Sequence, residues 1–259
     1  MSRQFRLDQS DSKTIPVFNP KTGQMDSVTV YRLYDDQTGK KGGYVDDVKR
    51  LSPYGQDHSW VADEAIVAGD AFLGDDAVVQ DQAIIYGAPR SAIGIWEDSV
   101  VSGHARICAG ESGDINITGR AFIAGQAKIL GTPFCNMLFC DDAHISGLTI
   151  CYGSASAWNN TFLGEDVIVG GGLNIVGLAC KNGIFIDHVN DGGGIDIQNW
   201  ADLKKYDFLT NGKAIPKKDL NFLEQVTQAF YQCSFPEYLT NRKLTLFNHF
   251  DFNDDRDLL

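Results

Sequence analysis

The chain has 259 residues, of which 43% are apolar and 22% charged, with a formal net charge of −12. That apolar content supports a packed core and argues against wholesale disorder. No apolar run reaches the roughly 18 residues that a membrane helix needs, and the polar start Met1-Ser-Arg-Gln-Phe-Arg-Leu-Asp8 has no signal-like apolar stretch, so a cytoplasmic protein is expected.

Residues 1–44 read as an N-terminal β cap. Ser27-Val-Thr-Val-Tyr-Arg-Leu33 has the β-branched alternation of a strand. From Val61 the chain repeats in sixes. Val61, Val67, Leu73, Val79 and Ile85 open successive hexads, with Ala65, Ala71, Ala77 and Ala83 four places later in the first four. Gly or Asp holds the third place at Asp63, Gly69, Asp75 and Asp81. A helix needs apolar spacings of 3 and 4, and a half-buried strand needs 2. A strict six fits a triangular coil, with one hexad per face and Gly or Asp at the corners.

The period breaks by ten residues after Ile85, Ile107 and Ile129 and then resumes. The three breaks are 22 residues apart, which is three hexads plus four. Each of three successive coils therefore carries a four-residue insertion at one corner, and stacked insertions form a ridge. The predicted core columns are 61, 79, 101, 123, 145, 163; then 67, 85, 107, 129, 151, 169; then 73, 95, 117, 139, 157, 175. The fold class is mainly β: a left-handed parallel β-helix over 45–200, with about six coils in the regular part.

Residues 201–259 leave the hexad rule and form a helical tail or cap. Leu220, Leu223, Val226 and Phe230 recur at helical spacing behind Pro216, and a second apolar segment runs from Tyr238 to Phe252. The tail is expected to be separable from the solenoid. It would cap the last coil, grip a neighbouring subunit or dock a partner.

Charge is uneven along this plan. Residues 1–60 carry 9 basic and 8 acidic side chains, 61–180 carry 4 and 14, and 181–259 carry 9 and 12. An acidic solenoid repels phosphate backbones, so no nucleic acid is expected as partner, whereas a basic protein surface would suit it. The six cysteines (108, 135, 140, 151, 180, 233) contain no CxxC pair and read as cytosolic thiols.

Phe5-Arg-Leu, Val30-Tyr-Arg, Lys41-Gly-Gly-Tyr-Val45, Leu51-Ser, Gly55, Ser59-Trp-Val61 and Val101-Ser-Gly-His-Ala-Arg106 together resemble the YdcK-type hexapeptide-repeat proteins of bacteria and phages. The resemblance covers about residues 1–180. It implies a left-handed β-helix, a homotrimer with parallel axes and an acetyltransferase-like label earned by fold. It carries over no catalytic residue.

An acyltransferase on such a scaffold needs a base, usually histidine. His104 at the fourth place of its hexad is the first candidate, and His144 at a sixth place the second. They fall in different columns, which argues against a shared metal site. Gly170-Gly-Gly172 and Gly192-Gly-Gly194 lack the strand–loop–helix setting of a phosphate loop. Two functions of different class remain. One is a non-catalytic binding or structural solenoid acting through acidic faces, stacked loops or the tail, without a cofactor. The other is an acyltransferase using acetyl-coenzyme A.

Overall fold

A computed structural model describes residues 3–54, 56–187, 194–209 and 214–242. Among these, the chain forms a parallel β-helix of about seven turns. The hexad periodicity dictates its registers. On face one, Val61, Val79, Val101, Ile123, Ile145, Leu163 and Cys180 pair in sequence from coil to coil. Face two stacks Val45, Val67, Ile85, Ile107, Ile129, Cys151, Val169 and Phe185. Face three stacks Leu73, Ile95, Ile117, Phe139, Ala157, Ile175 and Ile197, with Leu51 bridging to Leu73 at its start. All three predicted columns face inward and are buried. Burying each such aliphatic side chain contributes roughly 1.5–3 kcal/mol before chain entropy is charged against it.

The third-place residues turn the corners in the left-handed backbone region, as at Asp63, Asp75, Asp81, Gly69 and Gly125. Gly125 shows why glycine holds some of these places. Its φ is +66°, and a Cβ there would stand 2.9 Å from the backbone nitrogen of Gly147 in the next coil. Where Asp holds the place, its carboxylate ties coils together: Asp81 Oδ2 accepts from the Gly103 amide at 2.8 Å.

The four-residue insertions do more than form a surface ridge. Each lengthens the strand that follows one corner, where Ile93, Ile115 and Met137 point inward as bulky core residues in register with Ala71. The turn then passes through Arg90, Ser112 and Phe134, all at positive φ. Phe134 tips the ridge at 79% exposure.

The N-terminal strands β1 (Phe5–Asn19) and β2 (Gln24–Asp35) form an antiparallel hairpin, and β2 pairs with β3 (Lys41–Val45), which joins face two. The base of the hairpin closes the open end of the core with Leu33, Phe5 and Leu7. This also occupies a sheet edge that would otherwise be free to pair with another chain. The far end runs over the outside of face two, where Val17 and Val30 pack on Ile66, Ala68 and Tyr86.

At the other end, Asn199 caps the short helix α1 (Trp200–Leu203), whose Leu203 is fully buried against the last coil. The helix predicted behind Pro216 is α2 (Lys217–Tyr231). A Ser234–Glu237 capping box starts α3 (Phe235–Asn241). Residues 243–252 of the second predicted segment lie outside the described residues.

The described part of the tail packs on the side of the solenoid. Helices α2 and α3 lie along the outside of face two, where Leu223, Val226, Phe235 and Tyr238 share one apolar cluster with Leu130, Ile150, Tyr152 and Ile168. Face two is thus buried on both sides, by the hairpin over its first coils and the helices over its later ones. No described helix is long and apolar enough to cross a membrane.

Candidate functional site

On the outside of face two, one column runs Ile66, Ile84, Arg106, Lys128, Ile150, Ile168, Ile184 in unbroken register. Two neighbouring cations interrupt a ladder of isoleucines. Lys128 is only 4% exposed. Its Nζ donates to the Gln126 carbonyl and lies 5.3 Å and 5.6 Å from the ring centres of Phe230 and Tyr231 at the end of α2. Arg106 Nη1 donates to the carbonyls of Gln82 at 2.8 Å and of His104 and Ala105, both at 3.0 Å. Neither cation has a carboxylate partner among the described residues. Burial, and then the adjacent Arg106, lowers the Lys128 ammonium to about 7. Burial also lowers Arg106, although a guanidinium stays charged throughout the working range.

These side chains line a cavity of about 330 Å³ with His104, Gln126, Phe230 and Tyr231. His104, the first candidate base, is therefore an exposed rim residue of this cavity. No carboxylate hydrogen-bonds its ring among the described residues. His144 lies elsewhere, on the outside of face one, between the rings of Phe122 at 5.0 Å and Phe162 at 5.1 Å. Burial there lowers its pKa, which favours the neutral ring. The structure does not bring the two histidines together. His58 pairs with Asp76 at 2.7 Å in an exposed position, and His249 lies outside the described residues.

The cysteines offer no activated thiolate. All six are free, and burial raises Cys108, Cys135 and Cys180 to about 12 and Cys140 to about 11. Of the two glycine runs, the first contributes Gly171 and Gly172 to the lining of a larger cleft of about 480 Å³. That cleft opens between Lys21 of the hairpin turn, Phe134 of the ridge, and Lys218 and Phe222 of α2. Gly192 and Gly193 of the second run lie outside the described residues.

The acidic side chains stand at the corner turns, as at Asp63, Glu64, Asp75, Asp76, Glu97 and Asp98. Among the described residues, the outside of face one carries no charged side chain between its corners from the Val78 strand to the Phe162 strand; Lys181 stands beyond it on the last coil. This face presents the half-buried stripe Val78, Val100, Phe122, His144, Phe162, flanked by the small or neutral Ala62, Gln80, Ser102, Ala124 and Ser146. Each corner residue points away from the pleated face, so an acidic chain still presents a flat neutral sheet.

Sequence reasoning passed over Arg106 and Lys128 because each stands at an outward hexad place, where a charged residue taken singly is unremarkable. The available signal was the column itself, read every coil along the second face. No protein-family model and no curated protein matches this chain. The β-helix implied by the YdcK-type resemblance is present.

Proposed function

We propose that this chain is a non-catalytic β-solenoid that works by binding, assembled as a homotrimer with parallel axes through face one. The observation that carries this reading is the uncharged stripe from Val78 to Phe162 on a chain of net charge −12. A contiguous neutral, partly apolar face on an otherwise acidic molecule is a contact surface. Face two is already covered by the chain's own hairpin and helices, and cyclic symmetry lets one flat patch serve every copy. The acidic corners and the ridge tipped by Phe134 would stay outward, where a basic protein partner fits them better than nucleic acid or an anionic membrane does. A cytoplasmic setting suits six unpaired thiols.

Sedimentation of the parent and of Phe122→Glu tests this. The parent should sediment as a trimer and the variant as a folded monomer. A parent that is monomeric at micromolar concentration overturns the assembly.

Acyl transfer from acetyl-coenzyme A, with His104 as base, is the second reading. It is favoured by the place of His104 on the rim of a cavity holding two cations. Among the described residues no group orients the imidazole, as one usually does for a working base. Turnover of acetyl-coenzyme A that His104→Ala abolishes would establish it over the binding reading.

A further inference from the structure

We infer that the cavity between face two and the end of α2 is a binding site for the oxyanion group, phosphate or carboxylate, of a small ligand held by Lys128 and Arg106. The inference stands apart from the proposed function, which uses face one.

The fold alone would select an apolar residue at both positions. The column on either side is isoleucine, two residues below and three above. An isoleucine at either position would continue the ladder and extend the apolar cluster. Like charges side by side in neighbouring strands are destabilising, and a buried cation without a counter-charge is more so. The structure offsets little of this cost. Lys128 makes one hydrogen bond, leaving two ammonium donors to the cavity, and the rings of Phe230 and Tyr231 attract a cation but supply no countercharge. Arg106 spends only Nη1 on backbone carbonyls, leaving Nε and Nη2 without a protein partner among the described residues.

A bound oxyanion resolves the arrangement. Its oxygens accept from the free donors of both cations in charge-assisted hydrogen bonds, the arrangement for which guanidinium and ammonium groups are suited. His104 on the rim can add a third donor, and the two aromatic rings give an apolar wall for the rest of the ligand. The other titratable groups facing Lys128 do not compete. Cys108 on the neighbouring strand and Tyr231 on α2 are both raised to about 12 by burial, so each stays neutral. The acidic middle of the chain would oppose long polyanions and favours a ligand with one compact anionic group.

Inorganic phosphate serves as the probe. Thermal melts of the full chain are recorded at pH 6.5 over rising phosphate, with ionic strength held constant by sodium chloride. The parent should gain stability along a saturating curve. Lys128→Met should melt no lower than the parent without phosphate, and should bind phosphate about tenfold or more weakly, the loss of a charge-assisted hydrogen bond. Arg106→Gln should show the same weakening if Lys128→Met does not fold. Equal phosphate responses in parent and variants would be a general salt effect and would overturn the site. The parent is also followed by NMR of carbon-labelled lysine. The Lys128 resonance, assigned by its absence in Lys128→Met, should titrate at higher pH in phosphate and not in chloride, and no movement would overturn the site.

Discussion

Without any ligand, Lys128 should leave a signature in the pH dependence of stability. Its folded-state value is about 7 against 10.5 for an ordinary lysine. Between these values the unfolded chain holds a proton that the folded chain has released. Stability must therefore rise with pH from about 7 towards 10.5, and the cost of the buried charge is fully present below 7. A tenfold difference in proton affinity between the two states is worth about 1.4 kcal/mol, so the parent should gain about 2 kcal/mol between pH 7 and pH 9 from this residue. Solvent screening removes little of that, because the side chain is 4% exposed. The assay is urea unfolding of the parent and Lys128→Met in phosphate-free buffers at pH 7, 8 and 9. Contributions from all other titrating groups are shared and cancel in the difference. The variant's advantage should shrink by about 2 kcal/mol across the series. Parallel pH profiles would refute the reasoning, since they would mean that Lys128 keeps its proton through the window.

Ile107→Asp should lose several kcal/mol, because its side chain is fully buried between Ile85 and Ile129 and a carboxylate there has no partner; a melt like the parent's would break the column register. Gly125→Val should melt well below the parent, its left-handed φ costing about 1–2 kcal/mol before the clash with Gly147, whereas Gly39→Ala at φ +70° has nothing within 4 Å to meet and should pay only the backbone cost. Equal losses at the two glycines would refute the close stacking of corners. Truncation after residue 209 should expose Leu130, Ile150 and Ile168 and give light scattering at low temperature; a soluble truncated chain with the parent's melting point would establish a separable tail.

The solenoid was legible because a β-helix is quasi-one-dimensional. Each coil contacts only its neighbours, so a period in the sequence is also a period in space. That is why the columns through Val61, Val67 and Leu73 could be placed residue by residue, and why the phase survived three insertions. The inward turn of Ile93, Ile115 and Met137 was harder to read, since an inserted corner looks alike whether it bulges or lengthens the strand after it. The position of α2 was beyond the repeat altogether. Its apolar face, Leu220 to Phe230, shows that it packs on something, but no periodic signal says which of three faces receives it. The candidate site inherits that blindness. Arg106 and Lys128 look like ordinary outward residues until Phe230 and Tyr231 arrive from about 100 residues away, burying Lys128 and closing a cavity beside Arg106.

The two surfaces singled out should act independently, and this follows from their placement. The stripe through Phe122 and His144 lies on the outside of face one, while Lys128 faces α2 on the outside of face two. No residue lining the Lys128 cavity belongs to the stripe. Substitutions that share no partner add in free energy to within a few tenths of a kcal/mol. Phe122→Glu should therefore abolish association and leave the phosphate-dependent rise in melting temperature unchanged. Lys128→Met should abolish that rise and leave the sedimentation of the trimer unchanged. Loss of the phosphate response in Phe122→Glu would refute independence. It would mean that a second copy completes the cavity from across the corner at His104, and that face one alone does not describe the contact.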